Sequence, residues 1–162
     1  MPNYNSRRVI NSPNSGPGGY PGNMMALYFE ASITANLVNL DTVTFGKVPK
    51  GFRLLHAILG ATDMDTGAAT LAWNVGDTVT VGAQTFDADR IFAAATVGQA
   101  ATITPLGGAS AFTAACVMAA TGFGYQYLED TTIVATAATG PATGTTGTLK
   151  LVLFGILDGL PS

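Results

Sequence analysis

The sequence predicts an all-β protein: a single antiparallel β-sandwich, a jelly roll, with an extended N-terminal arm and one short connecting helix. Three observations predict it. Apolar residues alternate at period two in several separate runs, as in strands with one buried face. The runs are short, and Gly, Pro, Asn and Asp punctuate the gaps between them. About eight or nine such runs beside one helical candidate suit a two-sheet sandwich, commonly a jelly roll. A length of 162 residues allows one domain with a sizeable core plus an arm. The boundary is expected near residue 25, with an arm at 1–25 and a sandwich at 26–162.

The arm holds Pro2, Pro13, Pro17 and Pro21 among Asn, Ser and Gly, with Tyr4 and Tyr20 as its large aromatics. Such a composition cannot pack a core of its own and reads as extended chain. Arg7, Arg8, Tyr4 and Tyr20 are residue types that anchor interfaces, so the arm is expected to order against a neighbouring subunit. It has no apolar stretch of the kind a secretory signal carries.

From Ala26 the alternation is clean, with Leu27, Phe29, Ala31, Ile33 and Ala35 on one side and Tyr28, Glu30, Ser32 and Thr34 on the other. Asn36 and Asn39 flank a short connection to a strand over Leu40 to Phe45. The central stretch, Phe45 to Asp77, reads as strand, proline–glycine turn, long strand, polar turn, strand. Pro49 is placed at the second position of its turn, and Gly51 can adopt the positive φ that other residues resist. Phe52 to Thr62 is nearly continuous apolar sequence, DMDTG breaks it, and Leu71, Trp73 and Val75 follow at period two.

A short strand is expected over Thr78 to Val81. Phe86 to Ala95 is the helical candidate: Asp87 can cap it, and Ile91, Phe92 and Ala95 fall near one face. Thr102 to Thr104 reads as strand, Pro105 to Gly108 as a turn, and Phe112 to Met118 as strand or helix. Tyr125 to Leu128 is a strand ending at Glu129-Asp130, which can pair with Arg53 or Lys150. Ile133, Ala135 and Ala137 alternate with Thr132, Val134 and Thr136. A loop over Thr139 to Gly144 leads to a long apolar strand, Gly147 to Leu157.

The composition narrows the function. Only 10% of residues are charged, against about 25% in ordinary soluble domains. No Asp, Glu, Lys or Arg occurs from Ile91 to Leu128 or from Thr131 to Leu149. A free monomer usually keeps itself soluble with mixed surface charge. A chain this poor in charge covers much of its surface with partners, or presents a neutral Thr/Ala/Gly face, and an obligate assembly is the reading. A net charge of −3 gives no basic field for nucleic acid. The most apolar window, Ala111 to Ala120, is shorter than the ~20 residues of a membrane helix.

No catalytic constellation is legible. His56 is the one histidine and Cys116 the one cysteine, so neither a His-rich metal site nor an internal disulfide can be built. His56 in its apolar strand reads as a core or interface imidazole, Cys116 as a buried small hydrophobe. Asp63 and Asp65 in DMDTG have the spacing that opens an oxygen-ligand loop, but the further acidic ligands are missing, so a plain turn is the reading. No nucleophile motif and no phosphate loop with its Lys-Ser/Thr end is present. No catalytic residue, metal or cofactor is assigned.

FGKVPKGFRLLHAIL, then LAWNVGD, then FDADRIFAAATVGQA, then YLEDTTIVATAATGPATGTTGTLKLVLFGIL form a series. It resembles small structural proteins of tailed-bacteriophage particles over about residues 37–157. The likeness lies in the V-P-x-G turn opening a core strand, the V-G closing the next, the D-T-T-I strand and the G-T-L-x-L final strand. The resemblance implies a β-sandwich virion protein, most often a capsid decoration or cement protein. Such a protein would sit on the outside of the shell as a homotrimer and clamp neighbouring major capsid subunits. Its location would be the virion capsid surface after synthesis in the host cytoplasm, with no nucleic acid or membrane as partner. The arm lies outside the resemblance; Tyr4, Arg7, Arg8 and Tyr20 are expected to contact capsid or a neighbouring copy. A neck, tail or fibre-base role, or a carbohydrate-binding surface module, are the alternatives.

Overall fold

The computed structural model describes residues 3–5, 7–11, 24–78, 84–99 and 122–157. Expectations for Tyr20, Val79 to Val81, Thr102 to Gly108, Phe112 to Met118 and Cys116 lie outside these residues. The strands are β1 (Asn3–Asn5), β2 (Arg7–Asn11), β3 (Met24–Ile33), β4 (Thr42–Val48), β5 (Phe52–Ala61), β6 (Ala72–Asp77), β7 (Phe92–Ala95), β8 (Thr131–Thr139) and β9 (Gly147–Leu157). One sheet has the order β1-β4-β8-β6-β7 and the other β2-β3-β9-β5.

The pairing is that of a jelly roll. β3 pairs with β9, β4 with β8 and β6 with β7, all antiparallel. Residues 124–127 run beside β5 through Leu54 N–H to the Tyr125 carbonyl (2.9 Å) and Tyr127 N–H to the Phe52 carbonyl (2.9 Å). First pairs with last, second with seventh, third with sixth and fourth with fifth, the nested order of a rolled-up hairpin. β1 and β2 add to this frame. β1 lies parallel to β4 and β2 antiparallel to β3, so the segment passes from the edge of one sheet to the edge of the other.

The core sits between the sheets. Leu27, Phe29, Ala31 and Ile33 of β3 and Leu149, Leu151 and Leu153 of β9, from one sheet, meet Val43 and Phe45 of β4 and Trp73 and Val75 of β6 from the other, all essentially solvent-free. Phe29 and Phe45 meet across the sandwich with ring centroids 6.2 Å apart, tilted by 49°. Gly46 next to Phe45 has φ +143, and a Cβ there would come within 3.1 Å of the Phe29 ring. The positive φ and the β-bulge between Thr44 and Gly46 let the backbone approach that ring.

The turn after β4 is closed by Phe52 N–H donating to the Pro49 carbonyl at 3.1 Å. Pro49 is thus its first residue, one place earlier than expected, and Gly51 at φ +83 takes the position that needs a positive φ.

The expected helix is not formed. Residues 88–91 make a turn and Phe92–Ala95 is strand β7. Asp87 does accept a local amide, from Asp89 N at 3.3 Å, but such a bond serves a turn as well as a helix cap. Ile91 N–H then donates to the Val75 carbonyl at 2.9 Å, which commits the chain to the edge of β6. Ala94 at φ +51 is incompatible with a right-handed helix.

Candidate functional site

The sandwich offers two outer faces and two ends. On the five-stranded sheet the residues facing away from the core are mostly small and neutral, with exposed Lys47 opposite Thr132 as a charged exception. Thr42 of β4, Thr136 of β8 and Asn74 of β6 form one cross-strand row, and Thr44, Val134 and Gly76 the next. All but Gly76 are half-buried. Gly76 is covered: a Cβ there would lie 2.1 Å from the Asp87 carbonyl oxygen, so the 84–91 loop closes over this position. The alternation of Thr132, Val134 and Thr136 against Ile133, Ala135 and Ala137 is the origin of this face, one set turned to the core and the other away.

The four-stranded sheet has a different outer face. His56, Phe154 and Ala26 form one row; Ile58, Val152 and Tyr28 the next; Gly60, Lys150 and Glu30 a third. The His56 imidazole is exposed and stacks on the Phe154 ring, centroids 6.0 Å apart and planes 24° from parallel. Tyr28 donates to Glu30, and Lys150 pairs with Glu30 at 3.5 Å. Burial and the Glu30 partner push the Tyr28 hydroxyl up to about 12. Lys150 thus pairs with Glu30 rather than with Glu129 or Asp130. Lys50 takes those two instead, its ammonium 3.6 Å from Glu129 and its amide donating to Asp130 at 2.9 Å.

One end is held by a buried polar cluster. Arg90 Nε lies 3.0 Å from Asp77 Oδ2, Arg90 Nη2 donates to the Thr85 carbonyl at 2.8 Å, and the guanidinium rests 3.7 Å over the Tyr125 ring. Gln84 Nε2 donates to Thr131 Oγ1 at 2.8 Å and accepts at Oε1 from Leu128 N–H at 3.2 Å. Burial pushes the Asp77 carboxyl up, and the Arg90 charge opposes that shift without cancelling it. The cluster fixes the 84–91 loop, β8 and residues 125–128 to one another. Its named donors and acceptors bond to one another within the protein.

The opposite end is tied by Asp65. Its Oδ2 accepts from Thr70 N (2.8 Å) and Leu71 N (3.0 Å), and its Oδ1 from Ala142 N (3.0 Å) and Thr143 N (3.3 Å). Burial disfavours the charged form, yet these amide donors outweigh it and hold the carboxyl down at about 2. The DMDTG turn uses this carboxylate to pin the 62–71 loop to the 140–146 loop. Among the described residues no group of three or more His, Cys, Asp or Glu is placed to hold a metal ion.

The pH dependence follows from the sign of that shift. A carboxyl depressed on folding stabilises fully above its ordinary value of 3.8, and that stability is lost as pH falls toward about 2. Asp65→Asn should cost about 1–2 kcal/mol at neutral pH and flatten the loss of stability between about pH 4 and 2. Urea unfolding across a pH series measures both; an unchanged acid limb in the variant contradicts the role given to Asp65.

Three of the four arm residues fall on described backbone. Tyr4 is in register with Val43, Arg7 with Glu30 and Arg8 with Phe29, so they lie along the β3/β4 side and are divided between its two sheets. The outer face built from Tyr28, Ile58, Val152 and Phe154 was not singled out from the sequence. Its signal is LKLVLFGIL in β9, where apolar residues occupy both alternation sets; a strand covered on both faces reads that way. Arg90 was also missed, although it is the one basic residue between Arg53 and Lys150 and stands within a run of aspartates.

No protein-family model and no curated protein matches the chain. Two solved structures are similar to it. One is a chain of the capsid of Ralstonia phage GP4, with a TM-score of 0.72, 26% identity, and 99% of this chain and 100% of that chain covered. The other is a chain of the cyanophage Pam1 capsid asymmetric unit, with a TM-score of 0.65, 26% identity, and 91% and 95% covered. The likeness supports a phage capsid-related protein with a structural role in the virion.

Proposed function

We propose that this chain is a non-catalytic capsid decoration or cement protein that binds the outside of the shell and bridges neighbouring major capsid subunits. The observation that carries the reading is the end-to-end likeness to a capsid chain, 99% of this chain against 100% of that one. A match of that extent concerns a whole shell component and not one shared module. The surfaces agree with it. A domain with so few charges and a five-stranded outer face of mostly small neutral residues suits life inside an assembly. A protein that binds assembled shell and not free subunits stabilises the shell by mass action. Contacts to two or three subunits at once raise effective affinity further.

Self-association as a homotrimer runs through the Thr42/Thr44/Thr132/Val134/Thr136 face in this reading. Small side chains in flat cross-strand rows let two sheets approach closely. Tyr4, Arg7, Arg8 and Tyr20 of the arm contact the shell or the neighbouring copy. Light scattering of the purified chain should give a trimer at micromolar concentration. Val134→Arg, which places a charge in the middle of that face, should give a monomer with its melting temperature shifted by only a few degrees. A wild-type monomer in solution, with no trimer on particles, contradicts this part of the reading.

A further inference from the structure

The turn joining β3 to β4 carries an exposed leucine in a conformation that leucine disfavours. Asp41 N–H donates to the Val38 carbonyl at 3.2 Å, closing a four-residue turn over Val38, Asn39, Leu40 and Asp41. Leu40, third in the turn, has φ +66. Gly or Asn is the usual occupant of a third position with positive φ. A bulky residue there is a strained choice. Yet the side chain gains only partial burial in return: Leu40 is 45% exposed and its neighbour Val38 54%.

The turn is held from behind by several independent contacts. Leu40 N–H donates to the Ala137 carbonyl at 2.9 Å, and Asp41 Oδ2 accepts from Val38 N–H at 2.9 Å. Two glycines of the 140–146 loop let it press close: a Cβ on Gly140 would lie 2.7 Å from the Asn39 amide, and one on Gly144 2.1 Å from the Leu37 carbonyl oxygen. Val38 and Leu40 are therefore a fixed apolar pair, ordered before any partner arrives. Preorganised apolar anchors of this kind lose little entropy on docking.

The surrounding charge narrows the partner. Among the described residues, the loops at this end, 34–41, 62–71, 96–99 and 140–146, contain no Lys or Arg. Asp41 and Asp65 are turned inward, 0% and 2% exposed, and Asp63 accepts the Asp65 amide at 3.2 Å. A polyanion or a lipid headgroup finds no cation here. The other end exposes Met24, Phe86 and Leu157, with Phe86 beside Asp87 and Asp89 in the chain, and it carries the Lys50–Glu129 ion pair and exposed Asp130. Copies packed side by side through sheet faces leave the ends of the sandwich free. The Leu40 end, where half-buried Asp63 is the one carboxylate of these loops not turned inward, is the one suited to an uncharged protein surface.

We infer that Val38 and Leu40 form the anchor by which this chain docks, end-on, to an apolar and uncharged patch of the major capsid protein. The inference rests on the proposed shell-binding function and names the residues that carry it. Leu40→Gly is the informative variant, because it removes the apolar group and relieves the backbone at once. Its melting temperature should equal or exceed that of the wild type, while co-sedimentation with capsid shells assembled without this chain should weaken at least about tenfold. Val38→Ser should weaken binding in the same direction, and both variants should keep the wild-type oligomeric state by light scattering. Undiminished binding of both variants to shells that the wild type binds overturns this inference alone. Loss of the oligomer in the variants would make the occupant a second copy and overturn shell docking. Failure of the wild type to bind such shells overturns the shell-binding function and the inference together.

Discussion

Arg90→Met is expected to destabilise the fold by about 3–5 kcal/mol, a large share of the stability of a domain this size. Its guanidinium is nearly solvent-free, 3.0 Å from Asp77 and 3.8 Å from Asp87. Removing it strands the Asp77 carboxylate, 1% exposed, with only the weak 3.4 Å contact from Gln84 among the described donors of other side chains. A stranded buried charge costs more than the pair it belonged to contributed. Replacing both partners by apolar residues, as in Asp77→Leu with Arg90→Met, should therefore recover much of the loss. The single variant should also change with pH in a defined direction. The Asp77 carboxyl already lies above its ordinary range, and protonation removes the stranded charge, so the penalty should shrink as pH falls. Chemical denaturation of the single and double variants at neutral and acid pH measures each part; additive losses in the double variant contradict it.

The same cluster marks where sequence reading succeeded and where it stopped. Alternation identifies strands because burial on one face is a local pattern: β3, β6 and β8 were legible from it, while β5 and β9 read as continuous apolar runs, Gly147–Leu157 to the residue. Phe86 to Ala95 was misread because local signals, an aspartate able to cap and a run of alanines, favour a helix. What decides that segment is non-local. Arg90 is drawn into the Asp77 pocket and Ile91 bonds to Val75, and neither partner lies within ten residues. Residues 124–127 were legible as extended chain, but their place beside β5 depends on amides of Leu54 and Tyr127 that only the fold brings together.

The outer faces were legible in part. A neutral Thr/Ala/Gly surface follows from composition, and the rows of Thr42, Thr44, Val134 and Thr136 give it a location. The role of Asp65 was half visible: DMDTG read correctly as a turn. The four amides that fill its carboxylate come from two loops about seventy-five residues apart, beyond any local motif. The connection was marked in sequence by Asn36 and Asn39, but Leu40 was read as the start of a strand that begins at Thr42, because a positive φ at a leucine runs against the preference by which turns are read.

Trp73→Ala should cost about 3–5 kcal/mol. Trp73 is fully buried in β6, in register with Ala95 of β7 and Ala137 of β8. Its cross-strand neighbours are alanines, so the indole fills space that its flanks leave open, and they cannot expand into a cavity. Its Nε1–H finds no hydrogen-bond partner among the described residues. Trp73→Phe, which keeps most of the ring volume and removes an unsatisfied donor, should therefore cost much less than the alanine variant. Thermal and urea unfolding of the two side by side tests this; equal losses would mean the indole nitrogen is paired after all.

Stoichiometry in purified phage particles tests the shell function most directly, by quantitative mass spectrometry of this chain against the major capsid protein. A ratio between about one to one and one to three is expected for a protein that binds every local group of shell subunits. A handful of copies per particle would move the chain to the neck, tail or a single vertex, and its absence from particles would contradict the virion role outright.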